Sequence, residues 1–301
     1  MRKYISTCLF LCLFSQTIYS DSFTYNTYNN HGSVGLVNMP SARFYDESVY
    51  GVSIYDGTPD QKLTFTSNPY NWLEASVFYT NIQDKPYPGY EYQDYKDKGF
   101  NVKLRLKEEG KLPAIAIGIN DIAGTGLYGS EYIVGSYGID NFDFHFGLGW
   151  GAYNGSKHGF DNPLGYIDKR FKTRDKRDPG YEGTGSFTPG RYFSDENVSP
   201  FFGISYVLKD RLLFKFEHDT TNTNENGIDY EIPENQYSFA IDLLTKKNFN
   251  LGIAYERGST FSIRFSYKND PKISRKRYQY KSTDSKKELD KYSKLRKNLE
   301  N

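Results

Sequence analysis

Cysteine is nearly absent from this 301-residue chain: the only two, Cys8 and Cys12, lie within the first twenty residues. That stretch opens with Arg2 and Lys3, continues through an apolar core of Leu9, Phe10, Leu11, Leu13 and Phe14, and reaches Ser20 before Asp21. A charged start followed by an apolar core and a small residue reads as a secretory signal peptide over 1–20, cleaved near Ser20. The alternative is a buried first strand or helix. Leu11 precedes Cys12 where a lipid-anchor signal needs a small residue, so cleavage without lipidation is expected. Removing 1–20 leaves no thiol, which excludes disulfides and cysteine-containing metal sites. Histidine is also scarce, at four residues, and no zinc motif, nucleotide loop or nucleophile elbow is present. We expect no metal and no cofactor. Charge of one sign is missing as well: 38 basic residues face 37 acidic ones, so nothing in the balance points to nucleic acid. Apolar residues make up 37% of the chain and the mean hydropathy is −0.71, which excludes a polytopic helical membrane protein.

A β-barrel is not excluded by low hydropathy, because only every second residue of its strands meets lipid. What the chain has in excess is aromatic, 28 Tyr and 22 Phe, which suits strands and interfacial girdles. Alternation is clearest at the end: Phe261, Ile263, Phe265 and Tyr267 interleave with Ser262, Arg264, Ser266 and Lys268. Twelve segments of this kind occur, at 49–56, 61–67, 72–80, 99–107, 113–120, 129–137, 142–150, 200–208, 211–219, 235–244, 248–257 and 260–269. Alternation would also suit a soluble sandwich, so connection length decides between them. Five alternate links are tight turns, whereas the other set includes long stretches at 81–98, 121–128, 151–199 and 220–234. Both ends of a soluble sheet meet the same solvent and have no reason to differ. Short turns at one rim and long loops at the other are the outer-membrane arrangement.

The expected fold is therefore all-β: one antiparallel transmembrane barrel of about twelve strands over 49–269. A periplasmic lead-in covers 21–48, a large extracellular or pore-folded loop covers 151–199, and a short basic tail covers 270–301. Ser285 and Glu288 make a capping box for a helix in that tail, where 11 basic residues outnumber 4 acidic ones from 271 onward. Parity puts Leu63, Phe65, Leu73, Val77, Tyr79, Val102, Leu104, Leu106, Phe142, Phe144, Phe146, Phe214, Phe216, Phe239 and Ile241 toward lipid. It puts Glu74, Lys103, Arg105, Asp143, His145, Lys215, Glu217, Asp242, Glu256 and Arg264 inward, lining a wet lumen or pairing across it. Arg or Lys at the bilayer midplane costs about 2–4 kcal/mol, so one parity carrying all ten charges is a strong facing signal. Ile115, Ile117 and Ile119 alternate only with Ala114, Ala116 and Gly118, which marks the lipid face and leaves the lumen side unexplained.

Several blocks resemble the YjbH family: "GSVGLVNMPSARFYDE" (32–47), "WLEASVFYT" (72–80), "DKGFNVKLRLKEEGKLPAIAIGINDIAGTGLYGSEYIVGS" (97–136), "FDFHFGLGWG" (142–151) and "LGIAYERGSTFSIRFSY" (251–267). The segments 161–171 and 199–219 look similar to that family's large loop and following hairpin. The resemblance implies an outer-membrane β-barrel of a Gram-negative bacterium associated with exopolysaccharide or capsule production, without catalysis. Members are often longer, with periplasmic domains and a second barrel.

On that reading the protein takes part in exopolysaccharide export or surface assembly, in contact with outer-membrane lipid. Within 151–199, Tyr166, Lys169, Arg170, Phe171, Lys172 and Arg174 combine cations with aromatic faces suited to an anionic glycan, although Asp168, Asp175 and Asp178 dilute the charge. The alternative is a scaffold barrel docking periplasmic secretion proteins through its tail. An outer-membrane lipid hydrolase fits less well, because no outward Ser and His occupy neighbouring strand positions and a nucleophile must lie within hydrogen-bond reach of its base, and a glycosidase fits less well still, for want of a formed cleft.

Overall fold

A computed structural model describes residues 23–87, 90–156, 158–178, 180, 183–223, 235–245, 248–272 and 290–293. The expected signal segment and nearly all of the basic tail, including Cys8, Cys12, Ser285 and Glu288, lie outside them. The strands are β1 (Val49–Asp56), β2 (Asp60–Tyr70), β3 (Leu73–Tyr87), β4 (Tyr90–Lys107), β5 (Ala114–Asn120), β6 (Ser130–Ile139) and β7 (Phe142–Gly151). They continue as β8 (Phe160–Asp161), β9 (Asn197–Leu208), β10 (Leu212–His218), β11 (Tyr237–Leu244), β12 (Phe249–Glu256) and β13 (Thr260–Asn269). All but the two-residue β8 form an antiparallel ring, closed where β13 pairs with β1 and β10 with β9. Closure leaves no strand edge, the condition for a sheet to sit in lipid.

Every expected strand exists, with ends shifted by a few residues except in one hairpin. The long connection expected over 81–98 is instead strand: β3 and β4 run on in register, Tyr79 opposite Lys98, Asn81 opposite Lys96 and Ile82 opposite Tyr95. Beyond Thr80 the chain carries polar groups on both faces, as in the Asn81 to Asp94 hydrogen bond of 3.0 Å. A hairpin standing clear of lipid has no apolar parity to display. The rim asymmetry therefore rests on the connections 121–129, 152–196 and 219–236, opposite short turns such as 71–72, 140–141 and 209–211.

Outward positions form an apolar belt. Ile54, Leu63, Phe65, Phe146, Phe239, Ile253 and Ile263 are 46–60% exposed, while burial along β12 alternates strictly with exposure. Aromatic pairs bracket the belt: Tyr70 stacks on Trp72 at 5.4 Å and Phe249 packs on Tyr267 at 4.8 Å near the short-turn rim, and Tyr255 packs on Phe261 at 4.8 Å at the other.

The largest departure from expectation is inside. Residues 23–45, expected as a periplasmic lead-in, fill the bore, with Tyr28, Val34, Leu36, Val37 and Met39 all at most 1% exposed. The small inward residues of β5 now have a reason: Ala114 and Ala116 make room for a core cluster with Leu36, Met39, Phe44 and Phe201. Gly203 does the same on β9, since a Cβ there would stand 2.3 Å from Leu36.

The belt makes a direct forecast. Ile253→Arg, mid-strand and 55% exposed, should lower folding stability in lipid vesicles by about 2–4 kcal/mol. Denaturant titration of the refolded protein measures it.

Candidate functional site: a plugged bore and its two mouths

The plug is a re-entrant hairpin built from local turns. The Asn29 side-chain oxygen accepts from the amides of His31 and Ser33 at 3.0 Å each, and Gly32 takes a φ of +79° that a side chain would resist. Short bridges join Tyr28 to Val34 and Gly35 to Pro40. Tyr45 donates to the Asn26 carbonyl at 2.7 Å, tying the two legs together at the short-turn end.

The barrel wall answers this hairpin with its charges. Glu217 accepts from three consecutive plug amides, Val37 at 2.9 Å, Asn38 at 2.8 Å and Met39 at 3.1 Å. Lys103 donates to the carbonyls of Val34 (3.0 Å) and Arg43 (2.9 Å) and pairs with Glu74 at 3.0 Å, while Glu74 receives the Ser33 hydroxyl. Lys215 reaches the carbonyls of Gly35 and Leu36 and pairs with Asp242 at 3.0 Å. Arg264 bridges Asp242 and the Asn30 amide oxygen, and Glu256 accepts from Asn30 (2.9 Å) and Asn38 (2.7 Å). Asp143 grips Arg43 in two hydrogen bonds, of 2.9 and 2.5 Å.

Nine of the ten predicted lumen residues are thus buried and inward. Arg105, at the short-turn mouth, is half-buried over the Phe44 ring and paired with Glu108. Their surroundings correct the wet-lumen expectation: the charges are buried against residues 23–45 and against one another, as in the Lys103–Glu74 and Lys215–Asp242 pairs. The plug sequence gave a faint signal of this, since Asn26, Asn29, Asn30 and Asn38 are side chains that can both donate and accept. Burying Val34, Leu36, Val37, Met39 and Phe44 contributes roughly 1.5–3 kcal/mol per side chain, of order 10 kcal/mol together. The plug is a core, not a loose stopper.

His145 sits in a triad-like row, with Ser136 Oγ 2.8 Å from Nδ1 and Asp143 3.4 Å from Nε2. All three are at most 5% exposed, Ser136 also accepts from the Ala42 amide, and Asp143 is held by Arg43. No acyl group can approach that serine. His218 stacks on Phe202 at 5.2 Å among outward aromatics.

The long connection leans over the opposite mouth. Arg174 reaches the buried Glu131 with two hydrogen bonds, of 2.7 and 3.0 Å, and also caps the Arg191 carbonyl. Arg177 donates to Thr125 and Ser186 to Gly124, which seats this cover on the 121–129 loop. Arg174 is therefore a structural tether, a correction to its reading as a glycan contact. Arg170 folds back on Asp168 at 2.7 Å. Tyr166 is 76% exposed with the Lys172 ammonium 5.4 Å from its ring, Lys169 is exposed, and Phe171 is half-buried.

Between plug and long-loop rim lies a cavity of about 410 Å³, lined among others by His31, Asn38, Tyr55, Lys62, Glu256 and Arg257. Nε2 of His31, Oγ1 of Thr221 and Nε of Arg257 have no hydrogen-bond partner among the described residues. No group of described His, Cys, Asp or Glu side chains could hold a metal. A second cavity of about 410 Å³ opens at the short-turn mouth beside Phe44, Arg43 and Lys268.

These features define a class: a transmembrane β-barrel whose bore is occupied by its own N-terminal segment. The family model YjbH, described as "Exopolysaccharide biosynthesis protein YbjH", matches residues 27–300, and the chain belongs to this family. The "Uncharacterized lipoprotein YjbH" of Escherichia coli (strain K12) is 33% identical over 251 residues, covering 77% of this chain. The chain spans 34% of that relative's length. Among solved structures, "KdgM porin in complex with disordered oligogalacturonate" aligns with 74% of this chain and 98% of its own, at 9% identity and a TM-score of 0.40. A NanC porin structure aligns with 72% and 97%, at 11% identity and a TM-score of 0.38.

Two outcomes test the cover. Arg174→Ala leaves Glu131 buried without its cation and should destabilise the cover by about 3–5 kcal/mol, read as faster proteolysis within 152–196. Asp121, in the loop beneath it, has its carboxyl pushed up to about 7 by burial and then by Asp97, and its Oδ1 has no partner among the described residues. An acid raised in the folded state holds its proton between 3.8 and about 7, so stability of this rim falls as pH rises through that window. Hydrogen-exchange protection factors at 121–129, corrected for the intrinsic base-catalysed rate, should fall from pH 5 to pH 8, and Asp121→Asn should flatten that fall.

Proposed function

We propose that this protein is an outer-membrane barrel of the exopolysaccharide apparatus that works with its bore closed, meeting glycan at the long-loop mouth instead of conducting it. The observation that carries the reading is the plug. Its fully buried apolar residues and charge-paired backbone would all have to be exposed for a chain of sugars to pass. Family membership supports the polysaccharide link, and the apolar belt supports the membrane, with the long loops facing outside and the start of β1 and the end of β13 facing the periplasm. The glycan contacts are the vestibule over His31, Lys62 and Glu256, and the exposed Tyr166, Lys169, Arg170 and Lys172 with the half-buried Phe171 between them. Sugars suit such walls, stacking on aromatic faces while their hydroxyls exchange hydrogen bonds with carboxylates and ammonium groups.

The role is non-enzymatic, which the sealed Ser136, His145 and Asp143 support. Docking of periplasmic secretion proteins by the basic tail fits the same picture, because a closed barrel acts through what it binds.

A lock on the plug decides between closed and conducting function. Ala42 and Ser136 are joined by a 2.9 Å amide-to-hydroxyl hydrogen bond, so Ala42→Cys/Ser136→Cys places two thiols within reach. With the disulfide formed, polysaccharide secretion by cells carrying the variant should match that of the reduced form. Secretion that stops on oxidation and returns with reductant would overturn the closed-bore reading.

A further inference from the structure

The lipid-facing wall is not uniform. Of the described glycines in the twelve barrel strands, Gly135 alone stands on the outward parity; the others face the bore or its mouths. It lies between Ile115 of β5 and Phe146 of β7 in register, below the row Ile117, Ile133 and Leu148 and above Phe144. The missing side chain leaves a furrow of about 610 Å³ whose walls are Ile115, Ile133, Phe144, Phe146 and Leu148. That is the size of a small-molecule site, commonly about 300–1,000 Å³, but its lining is aliphatic and aromatic.

One end of the furrow is charged. Alternation from Val102, Leu104 and Leu106 would send Lys107 inward, but a bulge between Arg105 and Lys107 sets Lys107 opposite the outward Ile115. Lys107 also lines the furrow. It makes no ion pair among the described residues, whereas its acidic neighbours are engaged, Glu108 with Arg105 and Glu109 with Arg43. Lys111 follows in the adjoining exposed turn. A β-bulge that re-aims a lysine onto the lipid side, at the rim where headgroups lie, beside a groove for hydrocarbon, has the chemistry to meet a phosphate and an acyl chain together.

We propose that the furrow over Gly135 is a binding site for one phospholipid of the short-turn leaflet, one acyl chain lying in the furrow and the phosphate of an anionic headgroup held by Lys107. The leaflet follows from the orientation given above, while the site itself does not depend on whether the bore conducts.

The test is native mass spectrometry of the full chain released from vesicles of phosphatidylglycerol and phosphatidylethanolamine in equal amounts. The wild type should retain about one lipid, with phosphatidylglycerol favoured roughly tenfold. Gly135→Leu should lose that retention; the site tolerates a side chain, because a Cβ there meets Ala114 O at 3.7 Å and Pro113 at 3.9 Å. Lys107→Gln, at the end of β4, should keep a lipid but lose the headgroup preference. Retention unchanged in Gly135→Leu, or a preference unchanged in Lys107→Gln, would overturn the proposal. So would a dimer that Gly135→Leu dissolves, or selective recovery of lipopolysaccharide from native membranes. The secretion outcome of the plug lock leaves all of these readings untouched.

Discussion

Charge pairing inside a closed sheet is the constraint on which the rest of this structure depends. The lipid face forces the mid-membrane charges of the strands onto the other parity, and a narrow bore cannot hold that many unpaired charges in a dry interior. The chain resolves the conflict by returning its own residues 23–45 into the bore. Glu217 meets three amides, Lys103 and Lys215 meet carbonyls, and Asp242 is shared by Lys215, Arg264 and Thr27. For Glu217, Lys103 and Lys215 the partners include backbone, which carries no net charge and places its dipoles rigidly.

The barrel was legible because lipid imposes a rule with period two, and twelve segments obey it; facing, closure and strand count follow from parity and turn length. The plug was not legible, because its determinants are spread over partners such as Asn30 with Arg264, 234 residues apart, and its own composition of Asn, Gly and Ser reads as loop. The inward charges were found, but whether they faced water or protein depends on a third body that a strand pattern does not show. Ala114, Ala116 and Gly118 were the visible hint: a wall that is small on the inside has something large beside it. The long β3–β4 hairpin was missed for the converse reason, since strands beyond the lipid lose the alternation that announces strands within it. In the large loop, residue type alone did not separate Arg174, bound to Glu131, from Lys169 and Tyr166, which stay exposed.

The two mouths differ in kind. At the long-loop side the plug, the β3–β4 hairpin and the rim form a polar vestibule where His31 Nε2, Thr221 Oγ1 and Arg257 Nε have no partner among the described residues. At the short-turn side Phe23 packs against Val207 and Leu213, and Tyr25 donates to Asp210 at 2.5 Å, closing the base with apolar and hydrogen-bonded contacts. The outside wall carries a third kind of surface, where a missing side chain and a re-aimed lysine interrupt the belt. Closed bore, polar vestibule and lipid furrow divide the molecule into regions that make different demands on sequence.

Because the plug enters and leaves by the same mouth, its legs pinned by Tyr45 and Asn26, no free end ever has to be threaded through the ring. The topology stays unknotted whether the strands zip around the hairpin or the hairpin inserts late. A mechanical load applied at Phe23 would peel Tyr25, Thr27 and Asn30 from the wall in sequence, so the force needed would be that of one contact at a time, whereas a push on the vestibule would meet the whole network at once.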